Sequence, residues 1–94
     1  MLTYEHYSES YRIRQLRAEM LRDEYPIGCR VELTQMDADP APISSGSRGI
    51  VKCVDDMGTV HVIWDDGRQF GVIPGIDTFR RLTHTECREE RKRG

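Results

Sequence analysis

Ninety-four residues carrying 14 Lys and Arg against 16 Asp and Glu, a net charge of −2, describe one small domain without the basic excess of a histone-like protein. A chain of this length buries only about 60–65% of the surface its unfolded form exposes, which excludes a large enclosed cofactor cleft. With 37% hydrophobic and 32% charged residues it is polar, yet short of the disordered regime.

No apolar run approaches the roughly 18 residues of a membrane span. The opening MLTYEHYSES has neither the basic nor the apolar region of a secretory signal. The expectation is a soluble cytoplasmic protein with no membrane association. Cys29, Cys53 and Cys87 are too few and too scattered for a disulfide framework and read as reduced thiols. Cys29 and Cys53 fall in apolar segments, whereas Cys87 lies in a charged tail and is expected to be exposed.

Charge divides the chain. Residues 1–25 carry four positive and five negative side chains, residues 26–79 four and eight, and residues 80–94 six and three. An acidic middle and a basic tail stand behind the near-neutral total.

Residues 1–25 have no Gly or Pro and are rich in helix formers, so they are predicted as a helix or helices. Tyr4, Tyr7 and Tyr11 follow an i, i+3, i+7 spacing, and so do Ile13, Leu16 and Met20. At about 100° per residue the two sets point in nearly opposite directions. Either the helix breaks near Ser8–Ser10, with Ser10 as N-cap, or one helix has two apolar faces. The aliphatic face lies nearer the domain and is expected to pack on it. The tyrosine face is then left for a partner, a second copy, or shallow packing on the same domain.

Tyr25-Pro26-Ile27-Gly28 ends the helix, because Pro disfavours helix in the residue before it and Gly permits a turn. From there the period becomes two. Arg30–Thr34 is a first strand with Val31 and Leu33 on one face, and a loop rich in Asp, Pro, Ser and Gly follows from Asp37 to Ser47. Gly49–Val54 is a second strand, Thr59–Trp64 a third and Gln69–Ile73 a fourth, with Phe79–Leu82 as a fifth. Asp65-Asp66-Gly67 is the strongest hairpin signal, and its Asp-Gly pair suits a type I′ turn. Four or five short antiparallel strands in so few residues predict a mainly β fold with an N-terminal α-helix. The expected form is a strongly bent, SH3-like barrel that removes its own edges over residues 26–82. Residues 83–94 have no apolar face and are expected to be a frayed helix or disordered tail.

Gly28–Leu33, Met36-Asp37, Gly46–Val51, the run Val54–Gly67, and Pro74–Asp77 with Phe79 resemble a small family known as domain of unknown function 4314. The resemblance spans roughly residues 13–80. It implies a compact SH3-like barrel and an origin in bacteria, phages and mobile elements, and it attaches no activity. The chain departs at Ala38, where the family often has a second Asp, and adds the tyrosine-bearing start and the basic tail.

The residues themselves offer no catalytic constellation. Ser44, Ser45 and Ser47 lie in a loop without a partner His, and the Asp pairs sit in turns where water keeps carboxylates ordinary. His84 and Cys87 form one H-x-x-C pair, too little for a structural zinc site, so neither metal nor cofactor is expected. His61 alternates with Val60 and Val62 and reads as a half-exposed strand histidine. Trp64 ends a core-patterned strand and is expected to be buried rather than a ligand platform.

Two binding readings remain. In a simple meander Asp37, Asp39, Asp65 and Asp66 gather at one end, and Asp55, Asp56 and Asp77 at the other. Such carboxylates can imitate phosphates and occupy a basic groove on another protein. The leading reading is therefore a non-enzymatic protein-interaction module of a phage or mobile element. It would inhibit a host nucleic-acid enzyme, for example as an anti-CRISPR inhibitor of a nuclease, through these turns or through Tyr4, Tyr7 and Tyr11. The helix also offers a route to a homodimer. The alternative is a nucleic-acid-binding module using Arg80, Arg81, Arg88, Arg91, Lys92 and Arg93, which the neighbouring glutamates would leave weak and salt-sensitive.

Overall fold

The computed structural model describes residues 4–93, with side chains from Ser10 onward. A helix, α1 (Tyr4–Glu24), precedes five strands and a second helix. The strands are β1 (Arg30–Gln35), β2 (Arg48–Val54), β3 (Val60–Trp64), β4 (Gln69–Val72) and β5 (Thr78–Arg81), and the second helix is α2 (His84–Arg93).

With no Gly or Pro inside it, α1 runs unbroken for 21 residues, so of the two alternatives the continuous helix holds and there is no break at Ser8–Ser10. Its last helical bond runs from the Tyr25 amide to the Leu21 carbonyl at 2.7 Å, immediately before Pro26. The strands form an antiparallel sheet in the order β4-β3-β2-β1-β5. This is a bent meander in which β5 returns to pair with β1, the SH3-like order. Hydrogen bonding leaves the sheet open: β4 and β5 form its edges, so closure does not remove them as expected.

Alternation decides the inner face. Val31, Leu33, Val51, Val60, Val62, Trp64 and Val72 are almost wholly buried, joined by Met36 and Ile43 from the β1–β2 loop and Leu21 from α1. Trp64 keeps its polar atom satisfied by donating from Nε1 to the Phe70 carbonyl at 3.1 Å. Gly49 sits across from both Val31 and Trp64. A Cβ there would lie 2.6 Å from the Ile63 carbonyl oxygen and 2.6 Å from Val62 Cγ1, so the bend is tight enough to require glycine.

Two expectations are corrected by the backbone, and one pair of alternatives is decided. Only glycines have positive φ, which excludes a type I′ turn at Asp66-Gly67. The Gly67 amide instead bonds the Trp64 carbonyl at 2.8 Å and Gly67 takes φ 93°, a type I turn followed by a left-handed glycine. Asp77 does not belong to the far end of the sheet. Because β5 runs antiparallel to β1, its start lies beside the end of β1, and Asp77 accepts from the Asp37 amide at 2.9 Å. Of the two alternatives for the chain after Leu82 the helix holds: His84–Arg93 is helical and seated by the contacts described below.

Candidate functional site

The acidic turns are largely engaged within the chain. Asp65 takes both Nη atoms of Arg30, at 2.7 and 2.8 Å, and this pairing holds its carboxyl below the usual carboxylate range. Asp66 receives the Arg68 amide at 2.9 Å and its Nε at 2.8 Å, which lowers it as well. Arg68 in turn reaches the Pro42 carbonyl and ties this turn to the β1–β2 loop. Asp55 accepts the amides of Met57 and Thr59 at 2.9 and 3.0 Å and meets His61 Nε2 at 2.8 Å. Burial pushes Asp55 up, but His61 and the two amides outweigh it and the net direction is down. Asp56 accepts from Arg22 at 2.8 Å. Asp77 receives the Ile73 and Asp37 amides, both at 2.9 Å. Asp37 and Asp39 stand exposed in the β1–β2 loop, Asp39 just before a cis Pro40, and make no ion pair among the described residues.

A denser charge network lies on the outer face of β1, β2 and β5. Thr83 and Glu86 form a capping box at the start of α2: the Glu86 amide donates to Thr83 Oγ1 at 3.1 Å, and the Thr83 amide to Glu86 Oε1 at 2.9 Å. Glu86 also receives both Nη atoms of Arg80 at 2.7 Å and one Nη of Arg48 at 3.3 Å. One turn on, Glu90 receives Arg30 at 2.7 and 3.1 Å and faces Arg48 at 3.5 Å. Glu32 on β1 joins Arg48 at 2.9 Å and Arg80 at 3.1 Å. Arg80 foremost holds Glu86 well below its ordinary value, while Arg30 lowers Glu90 and Arg48 lowers Glu32. No residue of α2 is buried, so this helix is seated by charge and not by an apolar face.

That arrangement redistributes the basic residues. Arg80 is occupied by Glu86 and Glu32, and Arg81 donates to the Glu24 carbonyl at 3.0 Å. Arg88, Arg91, Lys92 and Arg93 are exposed on α2. Cys87 is half-buried rather than exposed. With Cys29, Arg30, Ile50, Arg81, Leu82, Glu90 and Arg91 it lines an open cleft of about 590 Å³ beside α2. Burial pushes the Cys29 thiol up, away from the reactive thiolate form. Among the described residues no group of three His, Cys, Asp or Glu side chains is placed to share a metal ion.

The third surface is α1, where the expected faces are reversed. The helix touches the sheet domain near its C-terminal end, through Ala18 at 1% exposure, Leu21, and Arg22, which donates to the Val54 carbonyl at 3.1 Å. Ile13, Leu16 and Met20 lie about 140–160° from Ala18 around the helix. They are 56%, 58% and 70% exposed. The small Ala18 allows close approach to the domain, and Tyr11 lies on its side of the helix, 51% exposed. The side chains of Tyr4 and Tyr7 lie outside the described residues.

Sequence reasoning missed Glu32, Arg30, Arg48, Glu86 and Glu90. The Thr83-x-x-Glu86 box and the Glu86–Glu90 spacing were the available signal for α2. The partners on β1 and β2 had none, since they meet only through the strand register Glu32↔Arg48 and Glu32↔Arg80.

Together these features define a small β-sheet domain with one helix clamped to it by charge and another projecting from it. The family model described as Domain of unknown function (DUF4314) matches residues 14–82, and the chain belongs to that family. The search of curated proteins returns no match. The matched span contains the Ile50-bearing sheet, the acidic turns, Leu16 and Met20, and it stops before α2.

Proposed function

We propose that the chain is a non-enzymatic protein-interaction module whose contact element is α1. One observation carries the reading: a helix docked through Ala18 and Leu21 leaves Ile13, Leu16 and Met20 on its opposite face, in water. Three large apolar side chains at helical spacing on a projecting element suit insertion into a groove or pairing with another helix. The narrower form, a phage or mobile-element protein that inhibits a host nucleic-acid enzyme by imitating phosphates, draws less support. Asp55, Asp56, Asp65 and Asp66 already have partners, which leaves Asp37 and Asp39 as the turn carboxylates without an ion pair among the described residues.

The test is capture of partners by full-length protein from nuclease-treated bacterial lysate, in parallel with Leu16→Lys and Asp37→Lys/Asp39→Lys. A partner retained by wild type and by the Asp variant but lost by Leu16→Lys supports the α1 reading. A partner lost only with the Asp variant moves the contact to the loop. In a parallel capture without nuclease, nucleic acid recovered in place of protein would favour the exposed Arg88, Arg91, Lys92 and Arg93 of α2.

A further inference from the structure

We infer that the occupant of the exposed α1 face is a second copy of the same helix, running antiparallel in a single register. The inference rests on the interaction-module reading and names its partner. Written as a heptad, Ile13, Leu16 and Met20 take positions a, d and a, Arg12 and Glu19 the flanking g positions, and Arg17 and Glu24 the flanking e positions. Ala18 then falls at f and Leu21 at b, so the side docked on the sheet domain is the back of the heptad. Nothing of the chain's own domain covers the a/d seam, and Arg12, Arg17, Glu19 and Glu24 are exposed along its rims.

Charge chooses the orientation. In a parallel pair each g residue faces the e residue of the following heptad on the other helix. That sets Arg12 against Arg17 and Glu19 against Glu24, all of them like-charge contacts. In an antiparallel pair g faces g. Placing Ile13 opposite the Leu16 of the second copy brings Arg12 opposite its Glu19, and by two-fold symmetry this favourable contact occurs twice. Placing Leu16 opposite Met20 instead sets Arg17 against Arg17 and Glu19 against Glu19.

The favoured register makes the Ile13–Leu16 layer twice and sets Met20 opposite position 9, a Glu, and Asp23 opposite position 6, a His, of the second copy. It centres the crossing between residues 14 and 15, at the middle of Tyr4–Glu24, so the two helices overlap along their whole length. Each sheet domain hangs from the back of its own helix near the C-terminal end, so the two lie at opposite ends of the pair and away from the seam. The apolar contact is small, and the expected dimer is concentration-dependent.

Sedimentation equilibrium on the full-length chain tests this with two charge reversals. Arg12→Glu alone and Glu19→Arg alone each place like charges across both contacts and should weaken self-association by about tenfold or more. An equimolar mixture of the two variants restores opposite charges at both contacts and should associate as tightly as wild type, a rescue that loss of folding cannot produce. Leu16→Lys should be monomeric, with a Trp64 fluorescence melt that matches the wild type at concentrations where both are monomers. A monomeric wild type at sub-millimolar concentration overturns the dimer, while a Leu16-dependent lysate partner would still leave the interaction reading standing. Association that ignores the charge reversals, or a mixture no tighter than its components, overturns the antiparallel register.

Discussion

Arg30 uses both edges of its guanidinium, one pair of bonds to Asp65 in the β3–β4 turn and another to Glu90 on α2. These two carboxylates push its already high pKa further up, so it is charged at every accessible pH. A lysine offers one compact ammonium and cannot reproduce two bidentate contacts at once. Arg30→Lys is therefore expected to lower stability by about 1–2 kcal/mol. Urea denaturation followed by the emission of Trp64, the chain's one tryptophan, measures this. A variant as stable as wild type would show that a single ammonium serves as well as the fork.

At the scale of elements, α2 and the sheet are held by different forces. The sheet is held by apolar burial, which salt scarcely weakens. The seat of α2 consists of ion pairs that weaken as ionic strength rises and as their carboxylates protonate. Glu32, Asp65, Glu86 and Glu90 all have lowered pKa values in the folded chain. A depressed carboxylate contributes its full stabilisation above the unfolded value of about 4, and loses it as pH falls through the folded value. The expected outcome is that α2 stays seated at pH 7 and loosens below about pH 4, earlier in 1 M salt, while the sheet persists. Backbone amide shifts of His84–Arg93, followed against Val51 and Val62, would report it. Release of α2 only together with global unfolding would contradict the division.

The same division explains what was legible in the sequence. Val31 and Leu33, or Val60, Val62 and Trp64, alternate because one sheet face meets the core, and a period of two can be read directly. α2 has no apolar period, since charge fixes it from residues brought close only by strand register. The faces of α1 were read in reverse because the larger aliphatic side chains were given to the core. The contact was instead fixed by Ala18, whose small size lets the helix approach. Asp77 was misplaced because a plain meander does not anticipate that β5 turns back on β1.

The whole molecule is elongated, with extents of 59 × 29 × 18 Å, because about 31 Å of helix (21 residues at about 1.5 Å each) is docked near one end. Helices shorter than about 12–15 residues are marginal in water, since propagation scarcely repays nucleation. The part of α1 before Ala18 is of that length, and its described side chains, Ser10–Arg17, are all exposed. If the seam is filled by a second copy, that segment's protection from hydrogen exchange must depend on protein concentration, through mass action on the dimer. Amides of Tyr11–Arg17 should exchange quickly in dilute solution and slow by at least about tenfold as the dimer fills, while those of Val51 and Val62 stay constant. Leu16→Lys should abolish the concentration dependence without touching the sheet. Protection in Tyr11–Arg17 that is high and independent of concentration would mean that the helix stands without a partner, and its apolar stripe would then lose its structural reason for pairing.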